Sequence, residues 1–205
     1  DPAGNDNSGL TGSKDTELGD QWVTFTSTLR TSMLTPAEWY FEYGGGDTKS
    51  HKNYQFGNTA TNFGVYLPQM ARESTLRYEY SNQHSLWYVN EIYPVYGNSI
   101  DGAVMGSFIG DQRQFDDAAP SQAHIIEATY SENLHSLWRA KYTRIANESN
   151  YLNELGQLGQ SYEVGQELQI SNSRKISHRQ VETTLAVGKD VFGESYTWLS
   201  VNVYW

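Results

Sequence analysis

The chain contains no cysteine, which excludes disulfides, thiolate metal centres, iron–sulfur clusters and a cysteine nucleophile. Basic charge is sparse: 14 Lys and Arg against 24 Asp and Glu give a formal net charge of -10 over 205 residues. Nucleic acid wants clustered cations on a basic surface, so no nucleic-acid partner is expected. No apolar run approaches the ~18–20 residues that a spanning helix needs. The mean hydropathy of -0.64 suits a soluble chain. It leaves open a membrane β-barrel, whose strands are apolar on one face only. The opening Asp1-Pro2 leads a polar stretch with neither a basic n-region nor an apolar h-region. The strand count below favours the later part of something longer over a signal already removed.

Aromatic residues are abundant instead, with 15 Tyr, 7 Phe and 6 Trp, and many recur at steps of two. Val23, Phe25 and Leu29 share one parity, with Thr24, Thr26 and Thr28 on the other. The same alternation carries Trp39, Phe41 and Tyr43; Phe63, Val65 and Leu67; Leu76, Tyr78 and Tyr80; and Ile126, Ala128 and Tyr130. It continues through Trp138, Ala140 and Tyr142; Tyr162, Val164, Leu168 and Ile170; Val181, Leu185 and Val187; and Leu199, Val201, Val203 and Trp205. Period two over strand-length stretches predicts about nine β-strands and little helix. Gln166 interrupts an apolar parity and Trp198 a polar one.

The links between these segments alternate in length. Short ones fall near residues 31–36, 68–74, 131–135 and 171–174, longer ones near 44–58, 81–122, 146–160 and 188–194. In an antiparallel meander all short links then share one end of the sheet, the asymmetry of outer-membrane barrels. A soluble sandwich has no reason to sort its links by parity. The expected fold is all-β, an antiparallel transmembrane β-barrel of a bacterial outer membrane, with one parity meeting lipid. Charged residues of the other parity are expected to face the lumen: Arg77, Glu79, Glu127, Arg139, Lys141, Glu163 and Glu182. The reason is that a basic side chain at the lipid midplane costs roughly 2–4 kcal/mol. Trp22, Trp39, Tyr142, Tyr162 and Trp205 suit the interfacial girdles. Bacterial single-chain barrels usually have even strand counts, so residues 1–205 are expected to be the C-terminal half of one roughly 18-stranded barrel domain. An N-terminal segment or a second chain then supplies the remaining strands; a strand missed within residues 81–122 is the alternative. The last segment, ending on Trp205 after Leu199, Val201 and Val203, resembles the signal read by the outer-membrane barrel assembly machinery.

Residues 81–122 form the longest irregular stretch, and long links often carry function. They hold His84, Trp87, Tyr88, Tyr93 and Tyr96, then glycines at 102, 106 and 110 followed by Asp111 and Arg113. Tyr96-Gly97, Gly102, Gly106, Ile109, Gly110 and Asp111 resemble the capsule assembly Wzi family. The order of the following strands near residues 123–130 and 137–145 agrees, as does the upstream run of residues 39–43 entering a Gly-rich loop. The resemblance implies a large outer-membrane barrel that anchors surface polysaccharide in a lectin-like, non-enzymatic way, with polysaccharide and outer-membrane lipid as partners. The residues themselves suit a sugar: Trp87, Tyr88, Tyr93 and Tyr96 offer ring faces to C–H surfaces, while Asp101, Asp111 and Arg113 offer planar partners for hydroxyls. Equally, these aromatics can pack the loop against itself or plug the lumen.

Other chemistry is thinly supported. None of the five His residues has a metal-ligand spacing such as HExxH, and no metal or cofactor is expected. Asp111, Asp116 and Asp117 read better as a solvated acidic loop than as a calcium site. His124 or His178 near a strand Ser imitates a phospholipase couple, and Glu163 with Glu167 imitates a glycosidase pair, but no spacing predicts contact. Two non-enzymatic alternatives remain: a porin-like channel for small solutes, and a soluble all-β carbohydrate-binding module.

Overall fold

The computed structural model describes residues 22–32, 35–48, 56–83, 99–100, 103–104, 120–148 and 161–205. They form a single nine-stranded antiparallel sheet: β1 (Trp22–Thr31), β2 (Ala37–Thr48), β3 (Phe56–Ala71), β4 (Ser74–Gln83), β7 (Ser121–Asn133), β8 (Ser136–Asn147), β9 (Val164–Ile176), β10 (Arg179–Lys189) and β11 (Ser195–Tyr204). Chain neighbours pair throughout, so the sheet is an uninterrupted meander. Between β4 and β7, β5 (Ser99–Ile100) and β6 (Ala103–Val104) pair only with each other, so this hairpin adds no strand to the main sheet. No helix occurs among the described residues, and thus none long and apolar enough to cross a membrane. Within these residues β1 pairs only with β2 and β11 only with β10, which leaves the sheet open.

All nine predicted segments are strands of this sheet, and most are longer than the alternation suggests. They run from 10 to 16 residues, against about 5–6 for an average globular strand. The longest, β3, continues through Pro68, which lies where the β3–β4 ladder is irregular between Leu67 and Ala71. An imino nitrogen cannot donate to a ladder, so an irregular stretch is where proline fits.

The links sort by end as the sequence predicts, with one exception, although residues 171–174, expected as a short link, lie inside β9 and the turn there is residues 177–178. At one end two-residue turns join β3 to β4, β7 to β8 and β9 to β10, and residues 32–36 join β1 to β2. Two of these turns hold a left-handed residue, Glu73 at φ 61° and Ser177 at φ 58°. The strand ends on the other side are separated in sequence by residues 49–55, 84–120 and 148–163. The exception is β10–β11, expected to be long: β10 runs to Lys189, so the link is only residues 190–194, no longer than the β1–β2 link. Asp190 organises it, accepting through Oδ1 from the backbone N–H of Phe192 and Glu194.

The two faces of the sheet differ in kind. One carries Phe25, Phe41, Phe63, Ile126, Leu168, Leu185 and Leu199, all substantially exposed. Among the described residues no Leu, Phe or Trp is buried. A soluble domain of this size hides such side chains beneath a second layer; here the described residues supply none.

The apolar band also runs obliquely. The register Thr28–Tyr40–Gly64–Glu79–Ile125–Thr143–Glu167–Gly188–Tyr196 draws one line straight across all nine strands. Phe25, mid-band on β1, lies three residues from that line toward the long-link end. Val65 lies one residue toward the short-turn end, Ala140 three and Val201 five. The band therefore slides eight residues in eight inter-strand steps, or one per strand. With a rise of ~3.3 Å per residue and a strand spacing of ~4.8 Å, the band crosses the strands at about 35° from their perpendicular. Aromatics mark both borders: Trp39, Tyr130, Trp138 and Trp205 toward the short turns, Tyr43, Tyr80 and Tyr142 toward the long links. Gln166, out of place in the alternation, sits beyond the band beside Arg144 and accepts a hydrogen bond from the Tyr142 hydroxyl at 3.1 Å. Trp22 is in β1 but its side chain lies outside the described residues.

Tyr162 is a correction. The alternation predicts it on the apolar face of a strand, in an interfacial girdle. It instead precedes β9 and is buried with Ala123, Ile145 and Val191, a small cluster on the polar side at the long-link end. The period-two pattern runs on past the true strand start, but the backbone does not: Glu163 N–H bonds to the Val191 carbonyl at 2.8 Å, joining this segment to the β10–β11 link.

Candidate functional site

The polar face is ordered in rows set by the register. On the reference line the two outer thirds repeat one device in mirror order. Tyr40 on β2 lies across Gly64 on β3 and donates to Glu79 Oε2 on β4 at 2.7 Å. Tyr196 on β11 lies across Gly188 on β10 and donates to Glu167 Oε2 on β9 at 3.0 Å. Each glycine is there for the ring above it. A Cβ at Gly64 would fall within the Tyr40 ring, and one at Gly188 would lie 2.8 Å from Tyr196 Cζ. In each case a phenol spans three strands and fixes a carboxylate. Arg77 completes the first set, donating to Glu79 at 2.7 Å and to the Tyr40 hydroxyl at 3.2 Å. Gln169, at 2.5 Å, and the Trp198 indole, at 3.3 Å, complete the second on Glu167.

Two residues nearer the short turns, a second row reads Arg30–Glu38–Tyr66–Arg77–Glu127–Lys141–Gln169–Ala186–Trp198. Its charges alternate in sign across adjacent strands, which is favourable for cross-strand pairs. Arg30 bonds Glu38 at 2.7 Å, and Arg139, one row further down, approaches Glu127 at 3.7 Å. These pairs are solvent-exposed to differing degrees, so each contributes only about 0–1 kcal/mol. Their consequence is a wall carrying both signs with little net charge.

Trp198 ends this row and was the sequence's anomaly, an aromatic on a polar parity. The structure explains it. To reach Glu167 on β9 from β11, the indole must lie across β10, where Ala186 stands directly opposite Trp198 and is fully buried. A small residue leaves room for a large ring across it, and Trp198 stays 37% exposed. It borders a cavity of about 290 Å³ walled by β7 to β11. Its lining comes from five successive strands, all from the polar face. Glu127, Arg139, Lys141 and Glu182 line it with Trp198 and Asn202.

The structure thus brings four of the seven charged residues expected on this face into one cleft. Arg77 and Glu79 lie on the same face nearer β1. Glu163 differs: it precedes β9 and forms an ion pair with Lys189 at the long-link end. Glu163 and Glu167 each have their own partners, so they do not form a carboxylate pair. His124 lies on the opposite, apolar face, its Nδ1 2.9 Å from the Tyr78 hydroxyl, and His178 sits in the exposed β9–β10 turn. Among the described residues no three His, Asp or Glu cluster as metal ligands do. Trp87, Tyr88, Tyr93, Tyr96, Asp101, Asp111 and Arg113, the polysaccharide residues expected from the sequence, lie outside the described residues, as do His84, Asp116 and Asp117. No family model, no curated protein and no solved structure matches this chain.

Proposed function

We propose that the sheet is part of a transmembrane β-barrel of a bacterial outer membrane, its apolar face against lipid and its polar face around water. The oblique, exposed apolar band carries this reading. Its angle of about 35° falls at the lower end of the roughly 35–45° at which barrel strands tilt from the barrel axis. A band that lies level in a bilayer must cross tilted strands in this way. Strands of 10 residues or more reach the roughly 9–11 needed to span, and aromatics on both borders match interfacial girdles. Backbone groups in hydrocarbon must all be paired, which a laddered sheet does except at its edges.

Within that barrel we assign a non-enzymatic role in holding surface polysaccharide, contributed by the long link of residues 84–120. The support is the aromatic and planar polar content of that link, its length between β4 and β7 in the chain, and its resemblance to the Wzi family. A second reading, a channel for small solutes, is favoured by one observation: the polar face carries both charge signs around an accessible cleft. The experiment is to test membrane fractions for heat-modifiable migration, then measure polysaccharide binding and planar-bilayer conductance on the purified protein. Heat-modifiable migration with glycan retention and no steady conductance supports the first reading. Large steady unit conductance without glycan retention supports the second. A protein soluble without detergent sinks both.

A further inference from the structure

The cleft is lined by residues of β7 to β11, and its make-up selects a ligand class. It is small: about 290 Å³ sits at or just under the lower end of the roughly 300–1,000 Å³ of small-molecule sites, room for one ring and not a chain. Its charges balance in number, Glu127 and Glu182 against Arg139 and Lys141, so the cleft has no net charge to draw an ion of either sign. Nor are the signs split between two ends as a zwitterion requires, since both cations stand on β8, between Glu127 on β7 and Glu182 on β10. What remains is a wall of hydrogen-bond donors and acceptors beside one indole.

We propose that this cleft is a binding site for a single uncharged sugar ring, with Trp198 as the platform for its C–H face. A pyranose has one face of axial C–H bonds that packs on an aromatic ring, and a rim of hydroxyls that each donate and accept. Trp198 is held in place before any ligand arrives. Its N–H is committed to Glu167 and Ala186 backs the ring, so little order is lost on binding. Arg139, Lys141 and Asn202 supply donors, Glu127 and Glu182 acceptors. The proposal rests on the polar face being the water-filled side of the sheet, and not on polysaccharide binding by the long link.

Calorimetric titration of the intact protein tests it, in detergent if the protein needs detergent and in buffer if it does not. The probes are methyl α-glucopyranoside, methyl β-galactopyranoside and N-acetylglucosamine, with glycine betaine and inorganic phosphate as charged competitors. At least one glycoside is expected to bind with millimolar Kd while betaine and phosphate do not. Trp198→Ala is expected to weaken binding at least about tenfold, Trp198→Phe by less than about threefold. Trp138→Phe, on the opposite face, leaves it unchanged. Heat-modifiable migration is scored for each variant; if Trp198→Ala does not fold, Lys141→Gln and Asn202→Ala are expected to weaken binding about threefold or more. Absence of glycoside binding up to about 100 mM, preference for betaine or phosphate, or unchanged affinity in a folded Trp198→Ala protein overturns the proposal. A protein that migrates as a barrel and retains polysaccharide yet binds no glycoside overturns the cleft alone; loss of barrel behaviour with glycoside binding intact overturns only the membrane reading.

Discussion

Leu185→Arg separates a lipid-facing sheet from a water-facing one by its magnitude. Leu185 is mid-strand on β10, flanked in register by Ile170 and Leu199, and is 47% exposed. In water, replacing a half-exposed leucine by arginine on an open surface changes stability by about 0.5 kcal/mol or less. In a bilayer the same change places a guanidinium near the hydrocarbon midplane and costs roughly 2–4 kcal/mol. That is roughly a 30- to 700-fold fall in the folding equilibrium constant, at 1.4 kcal/mol per tenfold. Thr184→Arg, one residue away on the polar face and lining the cleft, is the control and is expected to cost little. Urea titrations of the protein folded into phosphatidylcholine vesicles, followed by tryptophan fluorescence, measure both. A Leu185→Arg protein as stable in vesicles as its Thr184→Arg counterpart refutes the assignment of faces.

Gly64→Val drives a side chain into the Tyr40 ring and breaks its bond to Glu79; a loss of about 1–3 kcal/mol is expected by urea denaturation. Adding Tyr40→Ala to that variant is expected to recover part of the loss, because the clash disappears. Ser177→Gly relieves a left-handed residue at φ 58°, and a gain of about 0.5–1 kcal/mol in the same titration is expected after the entropy cost of glycine. Lys141→Glu reverses one charge on the polar wall, and wherever the protein conducts, the cation-to-anion permeability ratio taken from reversal potentials in planar bilayers is expected to rise about two- to threefold.

Period two made the sheet legible because each strand has one apolar and one polar face, so nine strands and their order could be read from residue types alone. Strand ends were less legible. The alternation in residues 162–170 continues through Tyr162, yet that side chain packs with Val191, a contact decided by the β10–β11 link and invisible to local pattern. The strong polar turn residues of 190–194 suggested a longer link than the ladder leaves. The two Tyr–Gly–Glu sets were not legible at all, because their members lie 39 and 29 residues apart at the ends and meet only once the register is known. One signal for the cleft was present: an aromatic out of phase on a polar parity. Trp198 stands there because its indole reaches across β10 to Glu167, and only the register of β9, β10 and β11 reveals that reach.

The open edges give the barrel reading its strictest consequence. In a bilayer the outer N–H and C=O groups of β1 and β11 cannot stay unpaired, since each such group in hydrocarbon costs several kcal/mol. Nine strands in a meander leave both edge strands running the same way, from the long-link end to the short-turn end. Joining β1 to β11 directly makes the one parallel pair in a sheet whose other eight pairings are antiparallel. Antiparallel closure instead requires an odd number of further strands between them. The sliding of the apolar band by one residue per strand then applies to those strands too, because a closed barrel has one shear and one tilt. Any strands that complete this sheet must therefore carry their apolar stretch in step with β1 at one edge and β11 at the other, which makes the band's slope a criterion for recognising them.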